Sequence, residues 1–259
     1  MARKARVKST SGIYHVMFRG VNRQDIFHDD EDRMKFLEIL KKYKEYAGLV
    51  VYAWCLMSNH IHLLLKEGEE GIGATMKRVG VSYALFFNWK YQTSGHLFQN
   101  RFNSESVEQD DYFLTVVRYI HQNPVKAGMV GRVEDWRWSS CSGYYDQPCF
   151  PEGLLERSRV LQMFSPDASI AKEKFREYNE QTNQDECLED YPFKRRRLTD
   201  EEAGHEIKEI LGTREIAQVK SLPKDERDIV LRKIKSIDGL SQRQAARILG
   251  IPPSLVFKV

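Results

Sequence analysis

The chain has few cysteines and no CxxC pair. Only four occur in 259 residues, at Cys55, Cys141, Cys149 and Cys187. Disulfide scaffolds and zinc knuckles need more cysteines at closer spacing, so reduced, isolated thiols are expected. No apolar run approaches the roughly 20 residues that a helix needs to cross a bilayer. The basic residues 1–8 are followed by Ser-Thr-Ser-Gly instead of an apolar core, which argues against a signal peptide. We therefore expect a cytoplasmic protein without a membrane partner.

The chain also lacks a strong excess of charge. Its 40 Lys and Arg residues nearly balance 37 Asp and Glu residues, for a net charge of +3. Such a balance does not identify a nucleic-acid binder, so local clusters must carry that case. Hydrophobic content of 41% with 11% aromatic residues is ordinary for a globular protein. At this length we expect one larger domain plus a smaller helical part.

The hydrophobic pattern predicts the order β-α-β-β-α-β-α in the first half of the chain. Strands are predicted at 13–19, 50–56, 61–65 and 102–108, and helices at about 30–47, 73–91 and from Asp110 or Asp111 onward. This order is typical of an α+β fold with a ferredoxin-like antiparallel sheet and flanking helices. An all-α C-terminal module with a helix-turn-helix is expected to follow it.

Three segments are predicted along the chain: a domain at 1–150, a helical connector at 151–197 and a helical module at 198–259. The basic run Lys194-Arg195-Arg196-Arg197 marks the linker. Thr199-Asp200-Glu201-Glu202 and Ser241-Gln242-Arg243-Gln244 are capping-box signatures, which indicate where helices of the module begin.

His60 and His62 stand two residues apart in an apolar, β-like run. Side chains at i and i+2 of a strand project from the same face, so two such imidazoles can share one metal ion. A single histidine on a strand is more often a core or surface residue. With this two-residue spacing, the sequence supports a metal site and a plain core or surface role about equally.

Tyr119 lies at the edge of a helical stripe, and Asn123 lies four residues further on the same side. Phe113, Val116, Val117 and Ile120 form that stripe. Such a tyrosine usually packs with its hydroxyl at the rim of the core. The Asn123–Pro124 step also has a plain explanation, because a helix often ends before proline and Asn123 would then cap it.

Five motifs, taken together, resemble the REP-associated tyrosine transposases, single-tyrosine HUH endonucleases related to the transposases of the smallest insertion sequences. They run in order across about residues 11–145. The motifs are Tyr14-His15-Val16-Met17 with Arg19-Gly20-Val21-Asn22-Arg23, LMSNHIHLL at 56–64, GHLFQNRF at 95–102, RYIHQNPVKAG at 118–128 and Trp138-Ser139-Ser140.

The resemblance implies a metal-dependent single-stranded DNA endonuclease and strand transferase that forms a 5′-phosphotyrosine on hairpin-forming DNA. His60 and His62 match the metal-binding pair, and Tyr119 matches the nucleophile. Asn123 falls where relatives place a polar third ligand, often glutamine. Magnesium prefers oxygen ligands and manganese tolerates imidazole better, so either Mg²⁺ or Mn²⁺ is expected.

Basic residues are further candidates for contact with DNA phosphates, and aromatic residues for base stacking. The basic candidates in the first domain are Arg19, Arg23, Lys77, Arg78, Lys90 and Arg101, with Tyr83, Phe98 and Phe102 available for stacking. For any single one of them, a solvated basic face over an aromatic core is the better explanation. For the group, DNA contact is favoured, because a tyrosine nuclease must hold a single strand across its site.

The segment 241–256 resembles a helix-turn-helix, with Ala246 where helices cross, Gly250 at the turn and Val256 six residues later. Such a segment would bring Arg243 and Arg247 to duplex DNA. The alternative is a capped helix ended by glycine in a small bundle.

Two other functions remain open from the sequence. A catalytically inactive DNA-binding regulator would keep the fold, and a metal hydrolase with an activated water would cleave without Tyr119. A homodimer is possible, because relatives include dimers with shared sites. A DNA-acting protein of this kind would associate with the nucleoid.

Overall fold

The computed structural model describes residues 8–185, 187, 198–237 and 239–258. The chain divides into two compact units, residues 1–188 and 189–259. The predicted basic linker at 194–197 lies outside the described residues. Among the described residues, no helix combines the length and the apolar character needed to span a bilayer.

The first unit has the predicted order of strands and helices. Its elements are β1 (Ile13–Arg19), α1 (Asp30–Ala47), β2 (Val50–Leu56), β3 (His60–Lys66), α2 (Ile72–Lys90), β4 (Asn103–Ser106), α3 (Asp110–Lys126), α4 (Cys141–Tyr144), α5 (Ser158–Gln162) and α6 (Ala168–Glu180). β4 is shorter than the predicted 102–108 strand.

The four strands form one antiparallel sheet in the order β2-β3-β1-β4. This confirms the predicted antiparallel sheet with flanking helices. In the central pair, Arg19 of β1 lies opposite His60 of β3, and Met17 lies opposite His62. Because side chains alternate between the faces of a strand, this register decides which residues of β1 share a face with the two histidines.

The first face of the sheet is covered by α1 and α2. Tyr14, Val16 and Phe18 of β1 belong to this core. They pack with α1 and α2 residues that include Phe36, Leu40, Met76, Val79 and Tyr83. α1 begins with a capping box between Asp29 and Asp32, which satisfies amide groups that a helix start otherwise leaves unpaired.

The second face is covered by α3 and by the short helices that follow it. Ile13 and Leu64 from the sheet pack with Val116 and Ile120 of α3 in this core. α5 and α6 add Val160 and Phe175, both fully buried. Helices of the predicted 151–197 connector therefore pack onto the α3 face, and the division into three segments stays a prediction.

The outer edge of β2 is occupied by the segment around the Trp-Ser-Ser motif. Leu56 N donates to Trp138 O at 3.0 Å, and Ser140 N donates to Trp54 O at 3.0 Å. An uncovered strand edge can pair with another chain, so this segment protects the sheet. β2 also has a bulge between Val51 and Ala53, and both Tyr52 and Ala53 consequently belong to the second core.

α3 continues through the Asn123–Pro124 step to Lys126. The interpretation of Asn123 as a terminal cap is therefore wrong. Its side-chain Nδ2 instead donates to the Tyr119 carbonyl at 2.9 Å. Pro124 is buried within the helix.

The second unit is helical where it is described. It contains α7 (Asp200–Leu211), α8 (Lys224–Lys235), α9 (Gln242–Leu249) and α10 (Pro253–Phe257). Both predicted capping residues, Thr199 and Ser241, accept a backbone hydrogen bond at a helix start. Ala246 and Val256 are buried in the core of this unit, and Gly250 ends α9 with a φ of 63°.

Candidate active site

Three histidines meet on the second face of the sheet. His60 and His62 come from β3, and their ring centroids are 5.0 Å apart. His15 of β1 joins them because Nε2 of its ring lies 3.1 Å from Nδ1 of His62. His15 is fully buried, His62 is 2% exposed, and His60 is partly exposed. The cluster therefore runs from the interior of the second core to its surface at His60.

A side chain from the loop before β3 contacts the outer histidine. Oδ1 of Asn59 lies 2.6 Å from Nδ1 of His60. Nδ2 of the same amide donates to the Arg23 carbonyl at 3.2 Å. Histidines that bind metals usually have their second nitrogen hydrogen-bonded in this way, which orients the ring.

α3 places Tyr119 against the histidines. Its ring centroid is 5.7 Å from that of His62 and 5.8 Å from that of His15, in edge-on contacts of 81° and 70°. The side chain is 4% exposed. Nζ of Lys126, two turns further along the helix, lies 5.1 Å from the Tyr119 ring centroid. The structure thus brings the predicted tyrosine and the predicted histidine pair together.

Burial keeps the histidines of the cluster neutral. It lowers the pKa of His15 to about 3. Burial, followed by the charge of Arg19, lowers the pKa of His60 to about 4. The pKa of His62 lies well below its usual value, first because of burial and then because of His60, His15 and Arg19. Metals bind the neutral imidazole, so His60 and His62 hold the binding form near pH 7.

Two protein imidazoles fit a divalent ion whose remaining ligands come from outside the protein. Within the described part of the chain, no group of three or more His, Cys, Asp or Glu side chains is placed to hold one metal. The imidazoles of His60 and His62 remain, while Asn123 lies on α3 with its Nδ2 donating to the Tyr119 carbonyl. Magnesium sites commonly combine few protein ligands with waters and substrate phosphates. The residues present are compatible with that arrangement.

Arg19 and Arg23 are the predicted phosphate contacts nearest the histidines. Arg19 lies opposite His60 in the sheet. Burial and then the charge of Arg23 lower the pKa of Arg19, whereas Tyr119 raises it. The Arg19 guanidinium therefore lies within electrostatic range of both Arg23 and the Tyr119 phenol.

The other predicted basic contacts divide into two groups. Lys77 and Arg101 are exposed and line a cavity of about 550 Å³ that Phe98 and Phe102 also border. Arg78 is paired with Glu70 at 3.0 Å.

Lys90 contacts three carboxylates at the start of α1. Its Nζ lies within 2.9 Å of Asp29, Glu31 and Asp32. These partners hold the ammonium, so Lys90 joins α2 to α1. Its assignment as a DNA contact stays a prediction. Tyr83, a predicted stacking residue, is fully buried in the first core and donates to the Ile26 carbonyl at 2.5 Å.

In the second unit, the predicted DNA contacts Arg243 and Arg247 are both exposed on α9. Arg247 pairs with Asp200 at 2.6 Å.

Sequence reasoning missed His15 and Asn59 as members of the site. His15 stands in a strand that reads as ordinary core, and only the pairing of β1 with β3 places it beside His62. Asn59 directly precedes His60, so its proximity was visible. The contact of Asn59 with the Arg23 carbonyl could not be predicted, because it depends on how the turn at 20–23 folds. His121 bonds to Asn179 and Ser140 and lies away from the cluster, in the core under α6.

The chain is similar in sequence to known proteins. Residues 8–123 match the family model described as "Transposase IS200 like". A protein of Haemophilus influenzae named as a REP-associated tyrosine transposase is 28% identical over 130 residues, covering 46% of this chain and 73% of that protein. The REP-associated tyrosine transposase of Escherichia coli K12 is 26% identical over 101 residues, covering 38% of this chain and 58% of the relative.

Among solved structures, a REP-associated tyrosine transposase bound to a REP hairpin aligns with a TM-score of 0.48 and 19% identity. That alignment covers 61% of this chain and 98% of the other. The resemblance seen in the five motifs is confirmed by the family match and the named relatives. Through residues 8–123, the chain is therefore similar to the IS200-like transposases, and both named relatives are REP-associated tyrosine transposases.

Proposed function

We propose that Tyr119 is the nucleophile and that His60 and His62 hold the divalent ion of this transposase, with Asn123 as a third donor. The single observation that supports this most is the 5.7 Å contact between the rings of Tyr119 and His62. The two side chains come from different elements, α3 and β3, and they meet on one face of the sheet. A packing tyrosine would need no such histidine pair beside it.

In the proposed reaction, the Tyr119 phenol oxygen attacks the scissile phosphorus. The bond from phosphorus to the 3′-oxygen breaks, the 3′-oxygen takes a proton, and a 5′-phosphotyrosine remains. This ester keeps a phosphoryl group that a new 3′-hydroxyl can accept, which rejoins the strand. A free phenol has a pKa of about 10, so its proton loss needs assistance. Arg19 and the Lys126 ammonium at 5.1 Å from the ring favour the phenolate.

A bound Mg²⁺ or Mn²⁺ would act as a Lewis acid on the scissile phosphate. His60 and His62 would hold it in their neutral forms. The phosphate itself would be oriented by Arg19 and Arg23, which flank the same end of β1.

We further propose that the DNA strand leaves the site along the loop at 95–102. Gln99 N donates to Arg19 O at 2.9 Å, so this loop adjoins the end of β1 that carries Arg19. Lys77 and Arg101 would contact phosphates there, while Phe98 and Phe102 offer aromatic surface to bases. Arg78 would contribute only after leaving Glu70.

A hairpin-forming single strand is the proposed substrate, because both named relatives are REP-associated transposases. We propose that α9 and α10 form a helix-turn-helix that contacts duplex DNA through Arg243 and Arg247. The buried Ala246 and the left-handed Gly250 support this. A homodimer remains part of the proposal.

The test incubates the full chain with a 3′-labelled hairpin oligonucleotide and Mn²⁺. A labelled, denaturation-resistant protein adduct is expected, because the 5′-phosphate of the downstream fragment stays on the tyrosine. Tyr119→Phe should abolish the adduct. Tyr112→Phe, on the same helix but bonded to Glu105, is the matched control and should retain it.

Two outcomes would replace the proposal. Tight DNA binding without an adduct in the unaltered chain would indicate an inactive regulator, for which neither the relatives nor the family match gives support. Cleavage that survives Tyr119→Phe would indicate a hydrolase with an activated water.

A further inference from the structure

The two nitrogens of a neutral imidazole are not equivalent, because one carries a proton and the other a lone pair. A metal takes the lone pair, so a histidine binds through Nε2 only when its proton is on Nδ1. Nδ1 of His60 and Nδ1 of His62 both contact a neighbouring side chain, Asn59 and His15 respectively. What those neighbours donate or accept decides which nitrogen each ring can offer.

The orientation of the Asn59 amide follows from its two partners. The Arg23 carbonyl can only accept, so the group facing it at 3.2 Å must be the Nδ2 amide. The opposite arrangement would place two oxygens against each other. Oδ1 of Asn59 therefore faces Nδ1 of His60 at 2.6 Å, and since that oxygen can only accept, Nδ1 must carry the proton.

The Arg23 carbonyl that orients Asn59 belongs to a constrained turn. Asn22 and Arg23 have φ angles of 52° and 62°, in the left-handed region that residues other than glycine seldom adopt. The backbone of Asn59 also supports this turn, because Gly20 N donates to Asn59 O at 2.9 Å. Asn59 thus connects the turn that bears Arg23 to the ring of His60 through three hydrogen bonds.

The link between His15 and His62 is not fixed in the same way. Nδ1 of His15 is buried and has no hydrogen-bond partner in the described part of the chain. Nothing on that side decides the tautomer of His15, so the proton between Nε2 of His15 and Nδ1 of His62 can belong to either ring. A metal on Nε2 of His62 would require His62 to donate and His15 to accept.

We propose that Asn59 presets His60 in the Nδ1–H tautomer before metal binds, and that Nε2 of His15 accepts a hydrogen bond from Nδ1–H of His62 when metal binds. Asn59 and His15 are then positioning residues of the site. The inference rests on the proposed role of His60 and His62 as ligands. It adds that the tautomer of His60 is fixed before metal binds, whereas the tautomer of His62 is fixed by metal binding.

The test uses the full chain labelled with ¹⁵N-histidine, first without metal. Long-range ¹H–¹⁵N correlation spectra distinguish a protonated ring nitrogen from one with a lone pair, and loss of signals in His60→Gln assigns His60. We expect Nδ1–H at His60 in the unaltered chain and in Asn59→Asp, whose carboxylate still accepts. Asn59→Leu, which cannot accept, should lose this preference.

Mn²⁺ affinity, followed by electron paramagnetic resonance, gives the second measurement. Substitution of a residue that orients a metal ligand typically weakens binding 10- to 100-fold. That loss is expected for Asn59→Leu, with a smaller one for Asn59→Asp. His15→Leu should weaken Mn²⁺ binding while the His60 tautomer stays unchanged. The signals of buried His121 report whether each variant is folded.

An Nε2–H tautomer at His60 in the metal-free chain would overturn the inference. So would a folded Asn59→Leu protein with the original tautomer and Mn²⁺ affinity. If Asn59→Leu fails to fold, Asn59→Asp and the unaltered chain still decide the tautomer. A chain with preset His60 and normal Mn²⁺ binding that forms no DNA adduct would instead contradict the proposed function alone.

Discussion

The two faces of the sheet are built from the same strands but differ in what they bury. One face presents Tyr14, Val16 and Phe18 of β1 to α1 and α2 in a core of apolar and aromatic side chains. The other presents His15 and Met17, with His60 and His62 from β3, to α3. Burying imidazoles costs free energy unless their polar atoms are partnered. The α1–α2 face is therefore an apolar and aromatic core, whereas the α3 face combines an apolar core with the candidate site.

The largest expected difference concerns one hydroxyl on each face. Tyr119→Phe should reduce adduct formation to background, because the nucleophilic oxygen is gone. Tyr83→Phe removes a buried hydrogen bond to the Ile26 carbonyl and should cost about 1–3 kcal/mol of stability. Its adduct formation should persist. Denaturant unfolding and the labelled-hairpin assay measure the two effects.

A Tyr83→Phe protein that forms no adduct but keeps its stability would show that catalysis and stability are not separated between the two faces of the sheet.

The second comparison uses neighbours on β3. His62→Ala should abolish measurable Mn²⁺ binding, since it removes one of two imidazole ligands. Leu63→Ala, one residue along and fully buried on the opposite face, should cost about 2–5 kcal/mol of unfolding free energy through the cavity it leaves. Mn²⁺ affinity of the folded Leu63→Ala protein should stay near that of the unaltered chain. Equal Mn²⁺ affinities in the two variants would argue against His62 as a ligand.

The strand assignments and face alternation behind these pairs could be predicted from the sequence. Periods of two and 3.6 residues gave the element order, and the two-residue spacing put His60 and His62 on one face. The sheet register could not be predicted, so His15 was missed. The ion pairs of Lys90 could not be predicted, because its acidic partners lie about sixty residues earlier, at the start of α1. The packing of α5 and α6 depends on a few apolar residues such as Phe175. The many charged residues around them hide this apolar pattern in the sequence.

A third prediction separates a structural histidine from the site histidines of the same face. Burial lowers the pKa of His121 to about 4, below its usual 6.5. Between these values the unfolded chain binds a proton that the folded chain does not. Stability should therefore fall as pH drops below 6.5, by about 1.4 kcal/mol per pH unit for this group, and level off near pH 4.

Thermal and denaturant unfolding of His121→Gln across this window should show a shallower pH dependence than the unaltered chain. Mn²⁺ binding at pH 7 should not change. An identical pH slope in both proteins would mean that His121 does not contribute.

The smallest effect is expected for an exposed ion pair in the second unit, which belongs to neither face of the sheet. Arg247 and Asp200 form an ion pair with side chains 67% and 58% exposed. Exposed pairs contribute about 0.2–1 kcal/mol, so Arg247→Ala should scarcely alter unfolding. If Arg247 contacts duplex DNA, the same variant should lower the salt dependence of binding by about one ion, measured as the slope of log affinity against log salt concentration.

The bulge in β2 separates two halves of that strand. Beyond it, pairing is regular, with Cys55 opposite His62 and Leu56 opposite Ile61. An irregular strand segment can absorb an added or missing residue by a local change in pairing. Length variation in the α1–β2 loop can thus be accommodated before Ala53, and the spacing of the histidine strand against its neighbours stays the same.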